Sequence, residues 1–157
     1  MSQTDREKWK LLLKSIEFFE NFESEELDEL IDKATVSRYS TNEWIVKEAK
    51  QADSFYVILR GKASIIKLNY AKAKQKIGEL NEGDCFGEIA VLLEEARSAS
   101  VMAARETFLF EINTTQIESL HVLTQLKLYR QFARVLALRL KLSSARIADN
   151  VSFPGMS

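Results

Sequence analysis

Residues 83–101 read GDCFGEIAVLLEEARSASV and bring together the residue types that can hold an anion. Gly87 lets the backbone take a close or left-handed path. The following stretch, 88–93, has room for barely two turns of helix. The first amides of such a helix lack intrahelical partners and point at whatever precedes them, which makes the helix start an anion site. Arg97 follows, with a forked donor set matched to phosphate oxygens, and Ser98 adds an amide and a hydroxyl. Glu88 does not suit a phosphate; its carboxylate wants hydroxyl donors, as a ribose would supply. The chemistry is that of holding one phosphate and a sugar, not of breaking bonds.

Other chemistries are poorly served. Cys85 is the only cysteine and His121 the only histidine of the 157 residues. An internal disulfide, a thiolate cluster and a multi-histidine metal site are therefore excluded. No nucleophile and base stand together, so no enzyme and no cofactor are expected. Cys85 reads as a small buried apolar side chain. With 22 Lys and Arg against 23 Asp and Glu, the net charge is −1, and the domain-wide basic footprint of a nucleic-acid binder is missing. Charge is unevenly spread, acidic over 1–33 and basic after 114, as solvated helix faces are. No segment has the apolar length of a membrane span and the start is unlike a signal peptide; a cytoplasmic location is expected.

These residues need a frame. Trp9, Leu12, Leu13, Ile16 and Phe19 recur at helical spacing over 5–19, and Ser24 opens a second helix to about Lys33. The pattern then alternates over 35–39, 44–46, 54–59, 63–68, 74–80, 99–103 and 107–112. Short alternating segments rich in Val, Ile, Phe and Tyr, with turn signals between them, predict a β-sandwich or barrel. Thr114 is read as the N-cap of a short helix over 115–121, and a longer helix covers roughly 124–148. The expected class is α+β: an N-terminal helical segment (1–33), an antiparallel β-roll of jelly-roll barrel type (34–113), C-terminal helices (114–148) and a loose tail (149–157). Five glycines and one proline are few, and four of the glycines, Gly61, Gly78, Gly83 and Gly87, cluster where unusual backbone is needed.

The run FGEIAVLLEEARSASV resembles the phosphate-binding cassette of cyclic nucleotide-binding domains. The resemblance extends to FYVILRGKASII (55–66) and LNEGDCFGE (80–88) and spans most of the chain. It implies cAMP or cGMP as ligand. It further implies that Arg97 takes the exocyclic phosphate oxygens, supported by the amide and hydroxyl of Ser98. Glu88 would accept from the ribose 2′-hydroxyl, while Gly87 and Ala90 would offer amides with Ile89 between them. Val57, Ile77, Leu80 and Val101 are placed at the purine end. Two features depart from the family. Ala96 stands where a proline usually precedes the arginine, which leaves the loop less pre-set. Glu94 and Glu95 are close enough in sequence to pair with Arg97 and compete with ligand.

In the last helix Val122, Leu126, Tyr129, Ala133, Leu136, Leu140, Ser143 and Ile147 form a heptad seam, with Leu128, Phe132, Val135 and Leu142 on another face. One face would close over the roll as a lid and the other would make a homodimer through 122–148, or dock an effector protein. Too few residues follow Ala148 for the DNA-binding domain that transcriptional members carry. The competing expectation is a ligand-free structural or protein-interaction module on the same fold. The hairpin KLNYAKAKQK (67–76) reads as a solvated tip, with an acidic lipid or nucleic acid as the minor alternative.

Overall fold

The computed structural model describes residues 2–50 and 52–150, with the side chains of 147–150 excepted. The expected tail beyond 150, and the Ile147 end of the seam, lie outside the described residues. The chain divides into two compact units between His121 and Val122.

In the first unit, α1 (Gln3–Lys14) is capped by Ser2 and followed by a 3-10 turn (Glu17–Phe19). The single helix expected over 5–19 is thus two pieces, broken at Ser15–Ile16. The next helix, α2 (Ser24–Lys33), has the expected bounds, and Glu23 is its N-cap, closing a capping box with Glu26. The pair α1–α2 is pinned by Lys10 Nζ to Asp28 at 2.7 Å and by Arg6 to Asp28 and Asp32. Those hydrogen bonds, Lys10 first for Asp28 and Arg6 for Asp32, hold both carboxyls below the ordinary aspartate value of 3.8. A depressed folded pKa contributes stability above the unfolded value and loses it as pH falls through the folded one. The urea midpoint is therefore expected to drop as pH is lowered below about 4, and to drop less in an Asp28→Asn variant; equal acid sensitivity of the two proteins would refute this.

Eight strands follow: β1 (Thr35–Tyr39), β2 (Trp44–Val46), β3 (Ser54–Arg60), β4 (Lys62–Leu68), β5 (Lys74–Asn81), β6 (Cys85–Phe86), β7 (Ser100–Ala103) and β8 (Thr107–Asn113). They form two antiparallel four-stranded sheets, in the orders β1-β8-β3-β6 and β2-β7-β4-β5. No ladder joins the sheets among the described residues, so of the expected sandwich or barrel the roll is a two-sheet jelly roll and not a closed barrel. The first sheet is apolar on both faces, which is why β3 is buried from Ser54 to Leu59. One face carries Phe55 and Phe110, which meet Phe18 and Phe19 of the 3-10 turn at ring-centroid distances of 5.2 and 5.3 Å. The other carries Tyr56, Ile58 and Leu109, which join Ala63, Leu80, Phe86 and Val101 in the roll's interior.

The interruption between β6 and β7 holds α3 (Glu88–Leu93). After β8, α4 (Thr114–Glu118) is capped by Asn113 in a capping box with Gln116, not by Thr114. The second unit is the helix α5 (Val122–Asn150), two residues longer at each end than the periodicity suggests. No described helix is long and apolar enough to cross a membrane.

Candidate functional site

The cassette is built by two left-handed residues. Gly87 sits at φ +92° as the N-cap of α3, and Glu94 at φ +54° ends it. The chain therefore turns sharply into and out of a six-residue helix and delivers Arg97 back beneath its own start. A Cβ on Gly87 would lie 2.6 Å from Arg97 Nη1 and 2.5 Å from the Ser54 carbonyl oxygen. Gly87, Arg97 and the first residue of β3 thus meet at one point.

Arg97 is 9% exposed. Its Nη2 donates to the Ser54 carbonyl at 2.6 Å, and its guanidinium lies 5.5 Å from the Tyr56 ring centre. Burial pulls its pKa down, while the negative ends of Tyr56, Asp53, Glu111 and Glu88 push it up. The expected pairing with Glu94 or Glu95 does not occur: both are exposed, and among the described residues no carboxylate lies within ion-pair distance of Arg97. The left-handed turn at Glu94 points that stretch away from the arginine.

Glu88 is 1% exposed. Among the described residues its Oε2 atom accepts no hydrogen bond, and the carboxylate acts electrostatically on Arg97. Ala90 is buried beside it, whereas Ile89 and Ser98 are exposed. The structure thus brings Gly87, Glu88, Ala90 and Arg97 to one locality, while Ile89 and Ser98 are exposed neighbours of these residues in the chain.

Beneath Arg97 lies a cavity of about 390 Å³, lined by Trp44, Val46, Ser54, Tyr56, Arg97 and Glu111 with Lys47, Lys50 and Asp53 at its rim. Tyr56 donates from its hydroxyl to Glu111 Oε1 at 3.2 Å, and Ser37 donates to Glu111 Oε2 at 3.3 Å. Burial and Glu111 raise the Tyr56 pKa, so its hydroxyl stays a donor and its ring a neutral face for Arg97. Sequence reading missed Ser54, Tyr56 and Glu111. Their alternation marks them as strand residues, and only the pairing of β3 with β8 brings them together. Of the apolar residues placed at the purine end, Leu80 and Val101 are in the interior. Val57 alternates onto the opposite face of β3, opposite Phe110, and Ile77 is 54% exposed. Ile77 is the extra residue of a bulge, since Ile65 pairs with Gly78 and Ile66 with Lys76.

The stretch around Ala96 is tied down without proline. The Ala49 amide donates to the Arg97 carbonyl at 2.9 Å, and the Arg97 amide to the Lys50 carbonyl at 3.1 Å. To make these bonds Ala49 takes φ +64°, a conformation costing an L-residue roughly 1–2 kcal/mol. Ala49→Gly is expected to stabilise the protein by about 1 kcal/mol, net of glycine's larger unfolded entropy; a lower denaturation midpoint in this variant would contradict it.

Among the described residues no group of His, Cys, Asp and Glu could hold a metal ion. A family model described as cyclic nucleotide-binding domain matches residues 36–122. Human cGMP-dependent protein kinase 2 is 26% identical over 103 residues, covering 65% of this chain and 14% of the kinase. The cAMP-dependent protein kinase regulatory subunit of Mycosarcoma maydis is 28% identical over 99 residues, 63% of this chain and 19% of that one. The chain thus spans a minor part of the length of these relatives. A cyclic nucleotide-binding domain from Methylobacillus flagellatus shares the fold with a TM-score of 0.79 at 21% identity, over 98% of this chain and 88% of that one. The regulatory domain of Toxoplasma gondii PKA, solved with cAMP, gives 0.69 at 22% identity, over 82% and 50%.

Proposed function

Because the chain belongs to the cyclic nucleotide-binding domain family, we propose that its roll takes up cAMP or cGMP, with Arg97 on the cyclic phosphate. In this reading the amides at Gly87, Ile89 and Ala90 and the amide and hydroxyl of Ser98 complete the phosphate site, and Glu88 accepts from the ribose 2′-hydroxyl. The family is a regulatory binding module, not a catalytic one. The observation that carries the reading is Arg97 itself. A buried guanidinium with five donors has one hydrogen bond among the described residues, to a backbone carbonyl. Buried charge without a paired carboxylate is costly, and an entering phosphate would supply the missing anion.

Two further points support a regulatory reading. Ser54 holds Arg97, and the preceding carbonyl, that of Asp53, accepts from both the amide and the hydroxyl of Thr114 at 2.9 and 3.1 Å. Adjacent peptides thus serve the phosphate site and the start of α4. In α5, the seam residues Val122, Leu126 and Leu140 are 81%, 62% and 68% exposed, which suits output by a second copy or an effector. Movement of α5 or dimerisation would then report occupancy by shifting a population between two states.

Titration calorimetry with cAMP and with cGMP tests the reading. Saturable heat with either supports it. No heat with both, at protein concentrations well above micromolar, would refute it and leave the ligand-free interaction module. Sedimentation with and without the bound nucleotide separates lid movement from dimerisation.

A further inference from the structure

The hairpin between β4 and β5 has no part in the nucleotide site, yet it is shaped for contact. Its turn is rigid. The Asn69 side chain accepts from the amides of Ala71 and Ala73 at 2.9 and 3.0 Å, the Asn69 amide donates to the Ala73 carbonyl at 3.0 Å, and Lys72 completes the turn at φ +58°. This platform holds the Tyr70 side chain wholly in solvent, and Leu68 is 51% exposed beside it. Ordinary turn chemistry would place polar residues at both positions.

Around this apolar apex stand Lys67, Lys72, Lys74 and Lys76, all exposed. Lys76 is neutralised by Glu79, which also binds Lys62 at 2.8 Å and is held near pKa 2 by the two lysines. Lys74 sits 4.9 Å from the Trp44 ring centre, opposite Leu68 in the register. Lys67 and Lys72 have no carboxylate within ion-pair distance among the described residues. Glu48 Oε2 accepts from the Leu68 amide at 3.3 Å, and with Glu79 it offsets only part of the lysine charge, so the tip keeps an excess of positive charge on a chain of net charge −1.

We propose that this hairpin tip docks on an anionic lipid bilayer, with Tyr70 and Leu68 at the interface and the lysines on the headgroups. Tyrosine favours the boundary between water and hydrocarbon, and lysine stems lie along apolar surface with their charge in the headgroup layer. A nucleic acid fits less well. Residues 67–76 contain no arginine for bidentate phosphate contacts, and a single aromatic gives no stacking platform for successive bases.

The full chain should sediment with vesicles of phosphatidylcholine containing about 30% phosphatidylserine at about 0.1 M salt, and at least about tenfold less with phosphatidylcholine alone. Each lysine near such a surface contributes about fivefold in partitioning, so Lys67→Gln with Lys72→Gln should lower it about 25-fold. Tyr70→Ser should weaken binding without altering its salt dependence. Release of the wild-type protein by raised salt reads the same electrostatics without relying on any variant. Equal partitioning into the two vesicle types overturns the proposal, as does unchanged binding by the double lysine variant. Binding of single-stranded DNA or RNA in preference to the anionic vesicles at the same salt would also overturn it.

Discussion

On the proposed function, an Arg97→Glu variant is expected to bind cAMP or cGMP at least tenfold more weakly than wild type, and a loss of all measurable heat would be consistent. A hydrogen bond to a charged group contributes about 1.5–3 kcal/mol, which is one to two decades in affinity, and reversing the sign adds repulsion. The substitution has a second effect that must be separated from the first. Asp53, Glu111 and Glu88 all act electrostatically on residue 97, so a glutamate there also burdens folding. Arg97→Lys separates the two. It keeps the positive charge among those acids, and so should unfold close to wild type, but it lacks the planar fork and should fall between wild type and Arg97→Glu in affinity. If Arg97→Glu binds as tightly as wild type in calorimetry, the assignment of the phosphate to Arg97 is wrong.

Gly87→Ala should damage both stability and binding, and the geometry says why. At φ +92° an alanine is strained by roughly 1–2 kcal/mol before any contact is considered. Its Cβ would also stand 2.5 Å from the Ser54 carbonyl oxygen, which is main chain and cannot swing aside, and 2.6 Å from Arg97 Nη1. Relief requires both that Arg97 move and that the backbone shift away from the Ser54 carbonyl, so affinity should fall at least tenfold while stability drops by about 2 kcal/mol or more. Gly78→Ala is the matched comparison. Gly78 is also in the roll, but its backbone is ordinary and the nearest atom to an added Cβ is Ile65 Cδ1 at 3.4 Å, the end of a flexible side chain. Thermal unfolding and calorimetry on both variants decide the matter. Equal effects from the two would show that the crowding at Gly87 has no special role.

The parts of this fold written in local pattern were legible. Alternation located seven of the eight strands, and the spacing of FGE, helix and arginine located α3 and the turn into it. What escaped depends on partners distant in sequence. The eighth strand, Cys85–Phe86, is two residues long and exists because Phe86 stacks on Tyr56 with ring centres 4.7 Å apart. Two residues carry no periodicity to detect. The cap of α4 is displaced by one residue, from Thr114 to Asn113, because the capping box also requires Gln116 at the right offset. The partner of Arg97 is the clearest case. Glu94 and Glu95 are its neighbours in the chain, but a left-handed turn carries them away, and the actual partner is a carbonyl that has no residue type to read. Asn113, Ser54, Tyr56 and Glu111 are adjacent only after β3 and β8 pair.

That carbonyl occupies one of the five donors of the guanidinium and fixes its position while leaving the others for a guest. A neutral guest offers those donors an acceptor no better than a peptide carbonyl. A charged one forms the shorter, roughly twice stronger bond of an ionised acceptor. On the proposed function the cavity would therefore sort guests by charge before it sorts them by shape. Because the anchoring acceptor belongs to the main chain, Ser54→Ala leaves the anchor intact, and no side-chain substitution at position 54 can delete it.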